Sequence, residues 1–175
     1  MSDINFRGKR WKEAAKYGQI FVQLERDEYS EGEQVNGQVL LDLVDAFPGN
    51  MLLLKVKGKE TVHFVDSESR IRDRSDGTRE TKFETVLRTD KAYVFNYLLP
   101  LNKWNSSDTI KPGKYSFPFS FKLPNSLPTS FFQKMHRALA IIQYHIEPVL
   151  KPFEKLSYPL KYKHRFVIKP KTESL

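Results

Sequence analysis

The chain has no cysteine among its 175 residues, which rules out disulfides, thiolate nucleophiles and cysteine-ligated metal. That lack leans towards a reducing compartment. Glycine is also scarce, at 8, and turns account for most of it. There is no phosphate-cradling loop, no dinucleotide fingerprint and no G-x-S-x-G elbow. The four histidines, His63, His136, His145 and His164, fall in separate segments. His145 and Glu147 share a strand face, but two ligands do not make a metal site. No apolar run approaches the ~18–20 residues of a membrane-spanning helix. The opening MSDINFRGKRWKEAAKYG has no apolar stretch of the kind that marks a signal peptide. No repeat of solenoid period is present. The expectation is a cytoplasmic, non-catalytic protein that needs no cofactor and no metal.

What the chain does have is aromatic residues, at 13%, within a total of 39% hydrophobic and 29% charged residues. That is enough apolar material for one packed domain. The dominant spacing is two. Ile20, Val22 and Leu24 alternate with other residues, as do Val35, Val39, Leu41 and Leu43, and then Leu52, Leu54 and Val56. Tyr93, Phe95, Tyr97 and Leu99 form another such set, Tyr144 and Ile146 follow, and Phe166 and Ile168 close the series. Alternation of this kind makes strands with one inward face. Turn residues punctuate them at Gly32, Pro48-Gly49, Asp76-Gly77 and Pro112-Gly113, which predicts an all-β sandwich or barrel.

Three segments read differently. Residues 10–17, closed by Gly18, suggest a partly ordered short helix. Residues 131–139 suggest a turn before the next strand. Residues 65–82, VDSESRIRDRSDGTRETK, are polar enough to suggest a mobile hairpin connection outside the core.

The stretch KPGKYSFPFSFKLPNSLPTSF, residues 111–131, is the densest in aromatics and proline. Tyr115, Phe117, Phe119 and Phe121 lie on one side of a strand and are expected to be core. Pro118 cannot donate a ladder hydrogen bond, so the strand should lie at a sheet edge or be bulged there. A polyproline ligand would need an exposed helix of a different period.

Four motifs then resemble one family in order and spacing. Tyr29-Ser30-Glu31-Gly32-Glu33-Gln34-Val35-Asn36-Gly37 is similar to the Y-x-x-G-E-x-V-x-G signature of arrestin N-terminal domains. Leu54 to Phe64 is similar to the segment L-x-L-x-G-x-A-x-V-x-W, with Phe64 in place of the usual Trp. The stretch 111–131 resembles G-x-Y-x-F-P-F-x-F-x-L-P-x-x-L-P-x-S-F, and Ile142 to Ile146 resembles I-x-Y-x-V. The resemblance runs from about Gly18 to Ile168 and is nearest the arrestin-domain-containing proteins, or α-arrestins. It implies an antiparallel immunoglobulin-like β-sandwich over residues 18–168. A basic segment precedes it at 1–17, and a tail or interdomain linker begins at 169–175. The P-P-x-Y motif for ubiquitin ligases is absent from the chain.

The resemblance also implies a non-catalytic adaptor or scaffold in protein trafficking. Its partners would be membrane-protein cargo tails and trafficking or ubiquitin-ligase machinery. The formal charge of +8 favours acidic or phosphorylated partners. Two rows present cations at every second position, Lys55, Lys57 and Lys59 in one and Lys161, Lys163 and Arg165 in the other. Each row leaves one strand face and suits phosphate, or else simply solvates an outer sheet face. An alternative partner is an anionic membrane at the plasma or endosomal surface. It would be held by Arg7, Lys9, Arg10, Trp11, Lys12 and Lys16. Nucleic acid ranks last, because the aromatics that would stack on bases are assigned to the core.

Overall fold

A computed structural model of the chain describes residues 14–105, 109–154 and 158–171. Ten strands follow one another: β1 (Gly18–Leu24), β2 (Glu28–Ser30), β3 (Gln34–Leu43), β4 (Gly49–Asp73), β5 (Arg79–Lys103), β6 (Gly113–Lys122), β7 (Phe131–Met135), β8 (Ala138–Pro152), β9 (Leu160–Lys161) and β10 (His164–Lys169). A three-stranded sheet runs β1-β3-β6. A seven-stranded sheet runs β2-β10-β8-β4-β5, with β7 and β9 also paired to β8. All pairings are antiparallel except β10 with β2, which are parallel.

The period-two residues close the space between the two sheets. Val35, Val39 and Leu41 from β3 meet Leu54 and Val56 from β4 and Ile146 from β8, each at most 1% exposed. The aromatic strand lies where Pro118 requires, at the free edge of the small sheet, with Pro118 opposite Gln38. Phe119 and Phe121 are buried, and Tyr115 and Phe117 half-buried. Tyr97 bridges to Phe121 across the sandwich, with ring centroids 6.0 Å apart. Burying such a ring stabilises the fold by roughly 1.5–3 kcal/mol.

The family-like motifs serve the fold. Tyr29 is 2% exposed, and the Glu33 carboxylate accepts the Ser30 N–H at 2.7 Å across the turn that Gly32 makes. The Leu-Pro pairs carry the chain from one sheet to the other. Leu123 and Leu127 are buried, and the Pro128 carbonyl accepts the Tyr144 hydroxyl at 2.6 Å. Gly58 leaves room for Tyr144. A Cβ there would lie 2.4 Å from the ring's Cε1.

One local expectation is visible only in part, and two need revision. Ala14 and Ala15 are helical and the chain turns through Lys16 and Tyr17; the rest of the expected short helix lies outside the described residues. Residues 131–135 form strand β7 along β8, and the turn narrows to His136 and Arg137. The polar segment 65–82 is mostly strand. β4 and β5 stay paired from Met51–Lys103 out to Asp73–Arg79, leaving only residues 74–78 as the turn. The segment is nonetheless exposed, as its polarity requires. Beyond Phe64, where β8 begins at Ala138, β4 and β5 pair only with each other among the described residues. Nine residues at ~3.3 Å each make an arm of about 30 Å.

Candidate functional site

β8 lies between the two cation rows, and register decides what shares its outer face. Lys57 of β4 stands directly across from His145, and Arg165 of β10 stands across from the same His145 on the other side. Lys55 is across from Glu147, and Lys59 is across from Gln143. Residues opposite in an antiparallel ladder point to the same face. Lys161 lies on β9 across from Val149, and Lys163 falls between β9 and β10, so the second row is not carried by one strand. Arg165, with Lys163 near enough to act on His145, still meets the first row on one outer face of the large sheet, with β8 between them. The inward faces of the same strands carry Val56, Ile146 and Phe166.

The electrostatics of this face are one-sided. Between the rows the carboxylate is Glu147, with Lys161 Nζ 3.6 Å from its Oε1, while Glu28 at the β2 margin of the same face pairs with Lys169. Among the described residues, no carboxylate lies within 4.0 Å of the charged groups of Lys57, Lys59, Lys163 or Arg165. Lys57 Nζ instead sits 5.7 Å from the ring centroid of Tyr93, an attraction for a cation that no acid neutralises. His145 is 7% exposed. Burial pushes its pKa down to about 4, the positive charge of Lys163 adds to this, Glu147 opposes it, and Lys57 and Lys59 lower it further. A neutral imidazole at pH 7 thus sits among converging cations. Such a surface attracts phosphate or carboxylate groups.

The other candidate cations divide. Arg7, Lys9, Arg10, Trp11 and Lys12 lie outside the described residues. Lys16 is described, with its Nζ 4.8 Å from the Tyr17 ring centroid. A second feature, not foreseen from sequence, is a cleft of about 990 Å³ beside the free edge of β1. Ile20, Phe21, Val44, Leu160 and Tyr162 line it, and Phe21 meets Tyr162 edge-on at 5.7 Å. It is mostly apolar, with Asp42 and Lys161 among its polar groups.

His145 and Tyr93 are the members of the basic face that sequence reasoning passed over. The sequence offers His145 only as a metal ligand, and a period of two sets Tyr93 on the same side as Phe95. A register shift between Gly58 and Lys59 inserts Val94, so Phe95 faces the core while Tyr93, 60% exposed, joins the lysines.

Comparison with known proteins agrees with this architecture. The profile described as "Arrestin (or S-antigen), N-terminal domain" matches residues 19–171. The "Arrestin domain-containing protein A" of Dictyostelium discoideum is 29% identical over 113 residues, covering 64% of this chain. The match spans 19% of that longer relative. Among solved structures, the sporulation control protein Spo0M of Bacillus subtilis aligns with a TM-score of 0.46 and 17% identity, over 86% of this chain and 49% of that one. With its signature residues packed as the sandwich requires and residues 19–171 matched by the family profile, the chain belongs to the arrestin family, as an N-terminal, α-arrestin-like domain.

Proposed function

We propose that this domain is a non-catalytic adaptor in membrane-protein trafficking. Its basic face would bind the acidic or phosphorylated tails of cargo. Membership of the family supports the adaptor role in general. One observation carries the finer reading: the register of β4, β8 and β10 sets Lys57 and Arg165 on either side of a neutral His145, with Glu147 the carboxylate between the two rows. Phosphate on a flexible tail needs converging donors rather than a deep pocket, and lysine and arginine supply them. The work would be done at the cytoplasmic side of the membrane that holds the cargo. Trafficking or ubiquitin-ligase machinery would be engaged elsewhere on the protein.

The test is binding of a fluorescent peptide with several phosphoserines, followed by anisotropy against its unphosphorylated twin. The phosphorylated form should bind more tightly, with affinity falling as salt rises through a Debye length of ~10 Å at 0.1 M. Reversing Lys55, Lys57 and Lys59 to Glu should weaken binding by ~tenfold or more. Undiminished binding in that variant removes this face as the tail site.

A further inference from the structure

The side of the β4–β5 ribbon that carries the lysine row continues past the sandwich onto the arm, and it changes chemistry there. Following register outward, Lys59 is opposite Tyr93, Thr61 opposite Lys91, Val65 opposite Leu87, Ser69 opposite Phe83 and Ile71 opposite Thr81. Ile71 and Leu87 are each 67% exposed and Phe83 is 74% exposed. Between Lys55 and Ile71 this side of β4 has no carboxylate, nor has the facing side of β5 between Thr81 and Leu98.

As far as Ile71 the acids lie on the opposite side of the ribbon; Asp73, at the tip, returns to this side and is paired with Arg79 at 3.1 Å. Asp66, Glu68 and Glu84 alternate with the uncharged residues, and they are engaged on the opposite side. Arg88 pairs with both Asp66 and Glu68, and Arg70 lies 3.6 Å from Glu84. Six basic and six acidic residues balance over residues 65–88, so the arm itself is neutral. Its charge is sorted by face. One side carries the pairs of Arg88 with Asp66 and Glu68 and of Arg70 with Glu84; the other, up to the Asp73–Arg79 pair at the tip, is apolar and hydroxylic outward and cationic towards the body.

We infer that this second side of the β4–β5 ribbon docks on an anionic lipid bilayer. Ile71, Phe83 and Leu87 would enter the acyl boundary, while Lys57, Lys59 and Lys91 meet the headgroups. Exposed apolar side chains beside cations are what binds a protein to an anionic membrane interface. Ser67, Ser69, Thr81 and Thr85 keep hydroxyls between the apolar side chains, where headgroup oxygens can take them. Tyr93, an amphipathic ring beside Lys57, suits the same boundary. From Lys55 to Ile71 the side extends about 50 Å at ~3.3 Å per residue, a length suited to a surface rather than to a short peptide. A second copy is a poorer match. A two-fold pairing sets the patch against itself, and charge of one sign cannot complement itself. The inference does not use the basic N-terminal segment; it shares Lys57 and Lys59 with the tail-binding face but rests on the exposed apolar positions of the arm.

The test is co-sedimentation of the full chain with phosphatidylcholine vesicles, with and without phosphatidylserine. The chain should sediment with the anionic vesicles and not with the neutral ones. The variant Ile71→Ser/Phe83→Ser/Leu87→Ser changes only exposed positions, and its melting should match the parent's. It should lose vesicle affinity by ~tenfold or more, while its phosphopeptide affinity stays as in the parent. Equal sedimentation with both vesicle types, or undiminished sedimentation of the serine variant, overturns the inference. So does an absence of vesicle binding together with a dimer, seen by light scattering, that the serine variant abolishes; that result assigns the face to a second copy. Failure of phosphopeptide binding alone leaves the membrane result intact, so the two readings fail separately.

Discussion

Replacing Gly58 by alanine adds one methyl group at the point where β4 passes under Tyr144. The new Cβ would meet the ring at 2.4 Å from Cε1 and 2.8 Å from Cδ1, and Val94 Cγ2 at 2.8 Å. Ordinary contact begins near ~3.4 Å, so the ring must retreat by about 1 Å in a core packed to crystal-like density. It has little freedom to do so. Its hydroxyl is tied to the Pro128 carbonyl at 2.6 Å, and Phe166 lies against it with centroids 5.8 Å apart. Overpacking of this kind costs about 2–3 kcal/mol, which lowers the melting midpoint by roughly 4–12 °C in a chain of this size. Urea unfolding of Gly58→Ala against the parent measures the cost. Tyr144→Phe cuts the tether and lets the ring slide, so the alanine penalty in that background should shrink by about 0.5–1 kcal/mol. A Gly58→Ala variant within ~0.5 kcal/mol of the parent, or a penalty unchanged by Tyr144→Phe, refutes the reasoning.

Two further outcomes are expected. Phe119→Ala, at a 6% exposed position stacked on Phe121, should destabilise by about 3–5 kcal/mol, and a near-neutral melting shift would show that the strand's aromatics do not carry the core. His145, with a folded pKa of about 4 against ~6.5 unfolded, stays neutral when folded while the unfolded chain takes up a proton. Stability should therefore fall as pH drops from ~6.5 to ~4, by on the order of 2–3 kcal/mol. His145→Gln should remove that part of the slope in urea titrations, and parallel pH profiles for the two proteins would contradict it.

Most of the sandwich was legible because alternation, turn residues and proline each have a local physical meaning. Pro118 specified an edge, and Val35, Val39 and Leu41 specified an inner face. What local reading handled worst was the arm. Residues 65–72 alternate strictly, but between charged and uncharged rather than polar and apolar, since Ser67 and Ser69 occupy two of the uncharged positions. The hydrophobic period is diluted there, and the segment reads as loop. The same alternation continues from Glu80 to Asp90, broken at Val86, where Thr81, Phe83, Thr85 and Leu87 hold the uncharged side. The basic face was half legible. Each row showed in the sequence, but their meeting depends on which strand lies between them. That is a property of sheet order, which no spacing within β4 or β10 encodes. Tyr93 was misplaced for a related reason: one inserted residue, Val94, reverses the face of everything beyond it.

The single parallel pair, β2 with β10, has a consequence for synthesis. It joins Glu28–Ser30 to residues 167–169, so a strand made near the start must wait for one made almost at the end. At ~5–20 residues per second the ribosome needs roughly 7–28 s to cover that gap. β4 is similarly held up, because its partner β8 is not complete until Pro152. During that interval the nascent chain would hold a long β4–β5 hairpin whose β4 edge, later covered by β8, is still open, the kind of template that pairs with other chains. Folding of this domain in the cell should therefore depend on what shields that edge before β8 arrives.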